Sequence, residues 1–134
     1  MVKSLISNAV DSALDYIAAR ADLISLCAGA PTAVSEATTL ASGGGKMLAS
    51  VNVTEGVGNG DFSITTGTVS GRRLAVAAQN AVPISETGTV DHVALVDSTG
   101  GELLIVTPLT EVQAVTAGEI LSIKAFGAEI RSPA

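Results

Sequence analysis

The chain has 134 residues, of which 47% are hydrophobic and only 15% are charged. The high apolar content excludes a disordered chain, and the lone Cys27 excludes a disulfide scaffold. Thirteen acidic residues against seven basic ones give a net charge of -6, which argues against a nucleic-acid partner. Cys27 and His92 supply two ligands where a Cys/His zinc site needs about four, so we expect no metal and no cofactor.

The first twenty residues are predicted to form an amphipathic helix over residues 4–20. Apolar residues recur there at spacings of three and four, which is the period of one helix face. Ser4 is the candidate N-cap, and Arg20 suits the negative end of the helix dipole. The apolar face either packs on the protein's own sheet or docks onto a partner. It contains Ile6, Val10, Ala13, Leu14, Ile17 and Ala21.

Short apolar or alternating segments follow the helix and are typical of strands. They recur every 8–12 residues and predict about eight strands. Residues 33–45 are small and polar and are predicted to form a long loop, and the Gly-containing loop 98–101 predicts a hairpin. The predicted strands are 22–28, 46–54, 62–65, 73–78, 82–84, 90–97, 102–107 and 119–126, and the shorter apolar segments 112–115 and 128–130 flank the last of them.

The fold class predicted from this pattern is mainly β, a sandwich or barrel of about eight short antiparallel strands with an N-terminal amphipathic helix. The length predicts a single structural domain, with the helix over residues 1–21 and the β part over residues 22–134. No apolar window reaches the roughly 18 residues of a membrane-spanning helix, so no membrane partner is expected. Asp11 and Asp15 interrupt any signal-peptide core, which favours synthesis in the cytoplasm.

Few side chains in the sequence suit catalysis. His92 follows Asp91 and could be a general base oriented by that acid, but no nucleophile motif accompanies it. Cys27 lies in an apolar segment and is predicted to be a buried thiol. The glycine-rich segments 43–46 and 56–60 lack the spacing of phosphate loops and are predicted to be turns. We therefore assign no catalytic residue and expect no enzyme activity, with a small hydrolase using His92 as the minor alternative.

Nearly the full length of the chain resembles small structural proteins of tailed-phage and prophage virions, encoded near head genes. The resemblance implies a decoration-like protein of the head and brings no functional residues with it. The Gly-Gly-Gly-Lys sequence ending at Lys46 departs from the pattern. The resemblance is carried by residues 11–17, 26–32, 36–38, 61–64, 70–72, 88–97 and 103–107.

The resemblance implies a capsid decoration or cement subunit that binds the shell of the major capsid protein, as a homo-oligomer in the virion. The alternative is a tail, neck or fibre component that contacts the host surface. Residues 4–20 and the loop 33–45 are the candidate contact segments, and we expect deletion of residues 1–20 to weaken assembly more than folding. The candidate partner-binding residues are Leu5, Ile6, Ala9, Val10 and Ala13.

Overall fold

The structure is a computed structural model that describes residues 2–66 and 72–130, and the side chains of residues 11–65 and 72–127. It is mainly β, as the sequence predicts, with nine described strands in antiparallel sheets that do not close into a barrel. The elements are α1 (Val2–Arg20), β1 (Leu23–Cys27), α2 (Val34–Thr38), a 3-10 turn (Ala41–Gly43), β2 (Met47–Asn52), β3 (Phe62–Thr66), β4 (Arg72–Val76), β5 (Gln79–Pro83), β6 (Gly88–Asp97), β7 (Glu102–Val115), β8 (Ile120–Ile123) and β9 (Phe126–Ile130).

The strands form three sheets around one apolar core. The largest sheet has the order β2-β1-β6-β7, the second has the order β3-β4-β9, and β5 pairs with β8. Leu26 and Leu95 of the first sheet, Leu74 of the second and Val82 of the third belong to one buried cluster. The three sheets are therefore held together by apolar side chains that they share.

A second, smaller cluster lies on the other face of the large sheet. Alternate residues of a strand point to opposite faces, so Ile24 and Leu26 face the main core while Cys27 faces the other way. Cys27 packs there with Ala94 and Val96 of β6 and with Ala37 of α2. The sheet is thus apolar on both faces near β1 and β6.

Helix α2 and the 3-10 turn replace the long loop predicted for residues 33–45. Glu36 in the first turn of α2 accepts hydrogen bonds from the Thr32 backbone N–H and hydroxyl, at 2.7 and 2.8 Å. Ala37 is fully buried against the sheet. The sequence pattern missed this element because a helix of five residues is too short to show a periodic apolar face.

Three predicted boundaries are also corrected. Helix α1 begins at Val2, so Ser4 lies inside the helix and is not its N-cap. The segment 112–115 is the end of the long strand β7, whereas 119–126 is divided into β8 and the start of β9. The predicted hairpin is confirmed: Asp97 accepts a 2.7 Å hydrogen bond from the Gly100 N–H, and β6 and β7 pair antiparallel on either side.

Candidate functional site

Helix α1 was the first candidate contact surface. The structure buries Leu14 and Ala18 in the main core and leaves Ala13 exposed. Of the candidate partner-binding residues, Leu5, Ile6, Ala9 and Val10 lie in α1, but their side chains fall outside the described ones. The C-terminal half of α1 is therefore part of the protein's own core.

Polar contacts also tie α1 to the strands. Arg72, at the start of β4, donates a hydrogen bond from Nε to Oδ1 of Asp11 at 2.7 Å. The Ala18 carbonyl accepts a 2.8 Å hydrogen bond from the Gly56 N–H. Together with the buried side chains, these bonds fix the position of the helix on the second sheet. Arg72 is thus paired with an acid of the helix.

A groove of about 650 Å³ lies between β7 on one side and β8 and β9 on the other. One wall is residues 107–111 and Gln113 of β7, and the other is residues 121–127, from β8 to the start of β9. Leu26, Val90 and Val93 form its floor. The β7 wall lies where β7 has an extra stretch relative to β6. Val90 pairs with Gln113 and His92 pairs with Pro108, so the register shifts between these two pairs. Proline is tolerated at such bulges because no ladder hydrogen bond is required of it.

The groove is apolar at its floor and polar at its rim. Glu111 and Gln113 on one wall and Lys124 on the other are exposed. Two large apolar side chains next to these walls face solvent, Val112 at 63% exposure and Ile120 at 69%. Such a surface suits contact with another macromolecule. Protein interfaces commonly have an apolar centre surrounded by a polar rim, and covering the apolar side chains lowers the free energy.

His92 does meet an acid, its neighbour Asp91. The His92 Nδ1 and the Asp91 Oδ1 are 2.8 Å apart, and the same carboxylate oxygen accepts a 2.6 Å hydrogen bond from the Gly29 N–H. Two hydrogen bonds lower the pKa of Asp91 below its ordinary value. The bond with His92 has the larger effect and the bond from Gly29 the smaller. Gly29 has φ +98°, which is costly for other residues. The carboxylate therefore anchors the turn after β1.

Cys27 lies opposite His92 in the pairing of β1 with β6 and is fully buried. Burial raises the pKa of the Cys27 thiol, against a smaller opposing effect of the hydrogen bond with Ser25 at 3.4 Å. The Ser25 hydroxyl is itself buried and donates to the Ala37 carbonyl at 2.6 Å. A buried neutral thiol is a poor nucleophile. The contacts of Cys27 and Ser25 with Ala37 instead hold α2 against the sheet.

The described residues form neither a metal-binding cluster nor a membrane-spanning helix. No cluster of three or more His, Cys, Asp or Glu residues could hold a metal ion among them. None of their helices is long and apolar enough to cross a membrane.

Sequence reasoning missed the groove. The available signal was Pro108 inside an apolar, strand-like segment, because proline in a strand marks an edge or a bulge. No sequence pattern indicates that Val112 and Ile120 are exposed, because both lie in segments that alternate like half-buried strands.

Comparison with known proteins places the chain in a family. A search of curated proteins and a search of solved structures each gave no match. The family model described as "Podophage GP4 fiber I protein gp80" matches residues 3–131, which include all of α1 except Val2 and every described strand. The prediction of a phage virion structural protein is supported, while head decoration in particular is not. The chain belongs to the family of the podophage GP4 fiber I protein gp80 and is a structural protein of a phage virion.

Proposed function

We propose that the protein is a structural subunit of a phage tail fibre, assembled in the host cytoplasm and carried in the virion. It acts by binding copies of itself and other virion subunits, and the assembled fibre contacts the host surface. It catalyses no reaction. The observation that carries this proposal is the family match over residues 3–131, whose description names a fibre protein.

The fold supports a role in adhesion between surfaces. The three sheets share one core, and α1 is held to that core by Leu14, Ala18 and the Arg72–Asp11 ion pair. A subunit of this kind keeps its shape when its surface binds neighbours. Assembly therefore costs little conformational entropy. Exposed apolar side chains such as Val112 and Ile120 supply area that a neighbour can cover.

A capsid decoration protein would use the same physical properties. The family description favours the fibre, because it names a fibre protein and no head component. Binding to the major capsid protein shell is therefore the second candidate, and the two differ in location and in copy number per particle.

Immunogold electron microscopy of intact virions tests the proposal. Antibodies against this chain should label the tail, and antibodies against the major capsid protein should label the head as a control. Quantitative mass spectrometry of the same particles should give far fewer copies of this chain than of the major capsid protein. Label spread over the head, with a copy number close to that of the capsid protein, would show that the fibre assignment is wrong.

A further inference from the structure

The loop between β2 and β3 contains the one asparagine of the chain that is followed by glycine, Asn59 before Gly60. Both residues are exposed, and neither lies in a helix or a strand. Gly60 has φ +118°, a backbone conformation that glycine adopts without strain. Because Gly60 carries no Cβ, no side chain of its own prevents its backbone nitrogen from approaching the side chain of Asn59.

The two groups that meet in such an approach are both accessible. Among the described hydrogen bonds, none uses the Gly60 N–H. The Asn59 side-chain amide has one described partner, the Glu55 carbonyl, to which Nδ2 donates at 2.8 Å. This bond is exposed, so water can replace it and its net contribution to the free energy is small. The amide carbon of Asn59 is therefore open to attack by the backbone nitrogen that follows it.

We propose that Asn59 is a site of spontaneous deamidation in the folded protein, with water as the only co-reactant. The Gly60 nitrogen loses its proton to hydroxide and forms a bond to the amide carbon of Asn59. The bond from that carbon to Nδ2 breaks, and Nδ2 takes a proton from water and leaves as ammonia. Water then adds to one of the two carbonyl groups of the cyclic imide and opens the ring. The product is aspartate, or isoaspartate when the ring opens on the backbone side and the chain continues through the side chain.

Asn52 provides a matched comparison on the same segment. It is also exposed, but it lies at the end of β2 and pairs with Leu23 of β1. The next residue, Val53, is buried, and its N–H donates to the Asp22 carbonyl at 3.0 Å. The nitrogen that would attack Asn52 is thus held in a hydrogen bond and belongs to a residue with a stiff, branched side chain. We expect Asn52 to keep its amide under conditions in which Asn59 loses it.

The Asn59 amide also holds the loop in place, so its loss has a structural consequence. The side chain lies over Gly56, where an added Cβ would come within 2.5 Å of Nδ2. Gly56 in turn donates its N–H to the Ala18 carbonyl, near the end of α1. Deamidation replaces the Nδ2 donor by a carboxylate oxygen that faces the Glu55 carbonyl, and neither oxygen has a proton to donate. The reaction therefore loosens the loop that holds the C-terminal end of α1.

Peptide mapping of the aged protein tests the site. The full-length protein is kept folded at several pH values, digested with trypsin and analysed by mass spectrometry. Residues 47–72 form one tryptic peptide that contains both asparagines. Its mass should rise by the difference between an amide and an acid, fragment spectra should place the change on Asn59, and isoaspartyl methyltransferase should label the isoaspartate fraction. The rate should rise by up to about tenfold per pH unit, because it follows the fraction of Gly60 nitrogen that has lost its proton.

Three outcomes would overturn the site. Conversion of Asn59 no faster than that of Asn52 would show that neither the glycine nor the free N–H matters. Conversion of Asn59 only in a urea-unfolded sample would show that the fold protects it. In the variant Asn59→Gln the same attack must close a larger ring, so conversion should become much slower, and an unchanged rate would exclude attack by the backbone nitrogen.

Two charge variants test the consequence for α1. Asn59→Asp copies one product of the reaction, and Asn52→Asp adds the same charge to an exposed asparagine that has no such tie. Asn59→Asp should have a lower Tm than Asn52→Asp, and equal Tm values would refute the link from the loop to the helix. Because the reaction involves only this chain and water, the immunogold result leaves this proposal unaffected.

Discussion

Replacing Leu14 with alanine should destabilise the whole protein, because this helix residue is 1% exposed and belongs to the main core. The change removes three carbon groups, worth about 2.4 kcal/mol at roughly 0.8 kcal/mol each. The cavity left behind adds to this, and buried Leu→Ala changes cost about 2–5 kcal/mol in total. With an unfolding entropy of about 2.1 cal/mol/K per residue, a loss of 3 kcal/mol lowers the Tm by about 10 °C.

Urea unfolding followed by circular dichroism measures this loss. Asp15→Ala is the matched control, because its side chain is exposed on the next position of the same helix. It should change the free energy of unfolding by less than about 0.5 kcal/mol. If Leu14→Ala changed stability no more than the control, α1 would not belong to the core. The same reasoning revises the expectation for the 1–20 deletion, which should now impair folding as well as assembly.

Three further outcomes follow from particular contacts. Gly45→Ala should destabilise by about 1–3 kcal/mol, because the added Cβ would overlap the backbone of Thr39. In the same urea titration Gly43→Ala should be far milder, because its Cβ would meet only the Thr39 Cγ2 methyl group, at 3.3 Å. Burial raises the pKa of Asp22, but hydrogen bonds from residues 98 and 99 outweigh it and leave the pKa below 3.8. The stabilisation from Asp22 is therefore present above the unfolded pKa and is lost as the pH falls through the lower folded value. Asp22→Asn should flatten the dependence of stability on pH in the acid range below the unfolded pKa, and an unchanged slope there would refute this role. Cys27 should react with a thiol reagent only at the rate of unfolding, since it is fully buried, and a fast native-state reaction would contradict this burial.

The strands could be predicted because their signal is local. Phe62 and Ile64 alternate with polar residues, and the loop 98–101 joins two apolar segments, so β3 and the β6–β7 hairpin follow from neighbouring residues alone. Sheet order could not be predicted in this way. The pairing of β1 with β6 joins Leu23 to Val96 across most of the chain, and no short-range pattern specifies that partner.

The candidate site was predicted less well than the fold. The apolar helix face was predicted either to pack on the protein's own sheet or to dock onto a partner, and the burial of Leu14 and Ala18 agrees with the first alternative for the C-terminal half of the helix. The groove beside β7 depends on which strand ends the sheet and where the bulge at Pro108 falls. The resemblance correctly indicated a phage virion protein. Head and fibre subunits both need a rigid fold and a surface that binds neighbouring subunits. The residue types of the chain therefore do not distinguish a head protein from a fibre protein.

The pairing of β1 with β6 also constrains when the protein can fold during its synthesis. Residues 23–27 have no partner on that side until residues 92–96 have left the ribosome, and closing such a long loop is slow compared with forming a hairpin. Nascent chains that end early therefore keep the apolar side chains of β1 uncovered and remain substrates for chaperones and proteases. Since β7 follows β6 directly, the β7 wall of the groove forms only on chains whose central strand is already in place, and truncated chains lack it altogether.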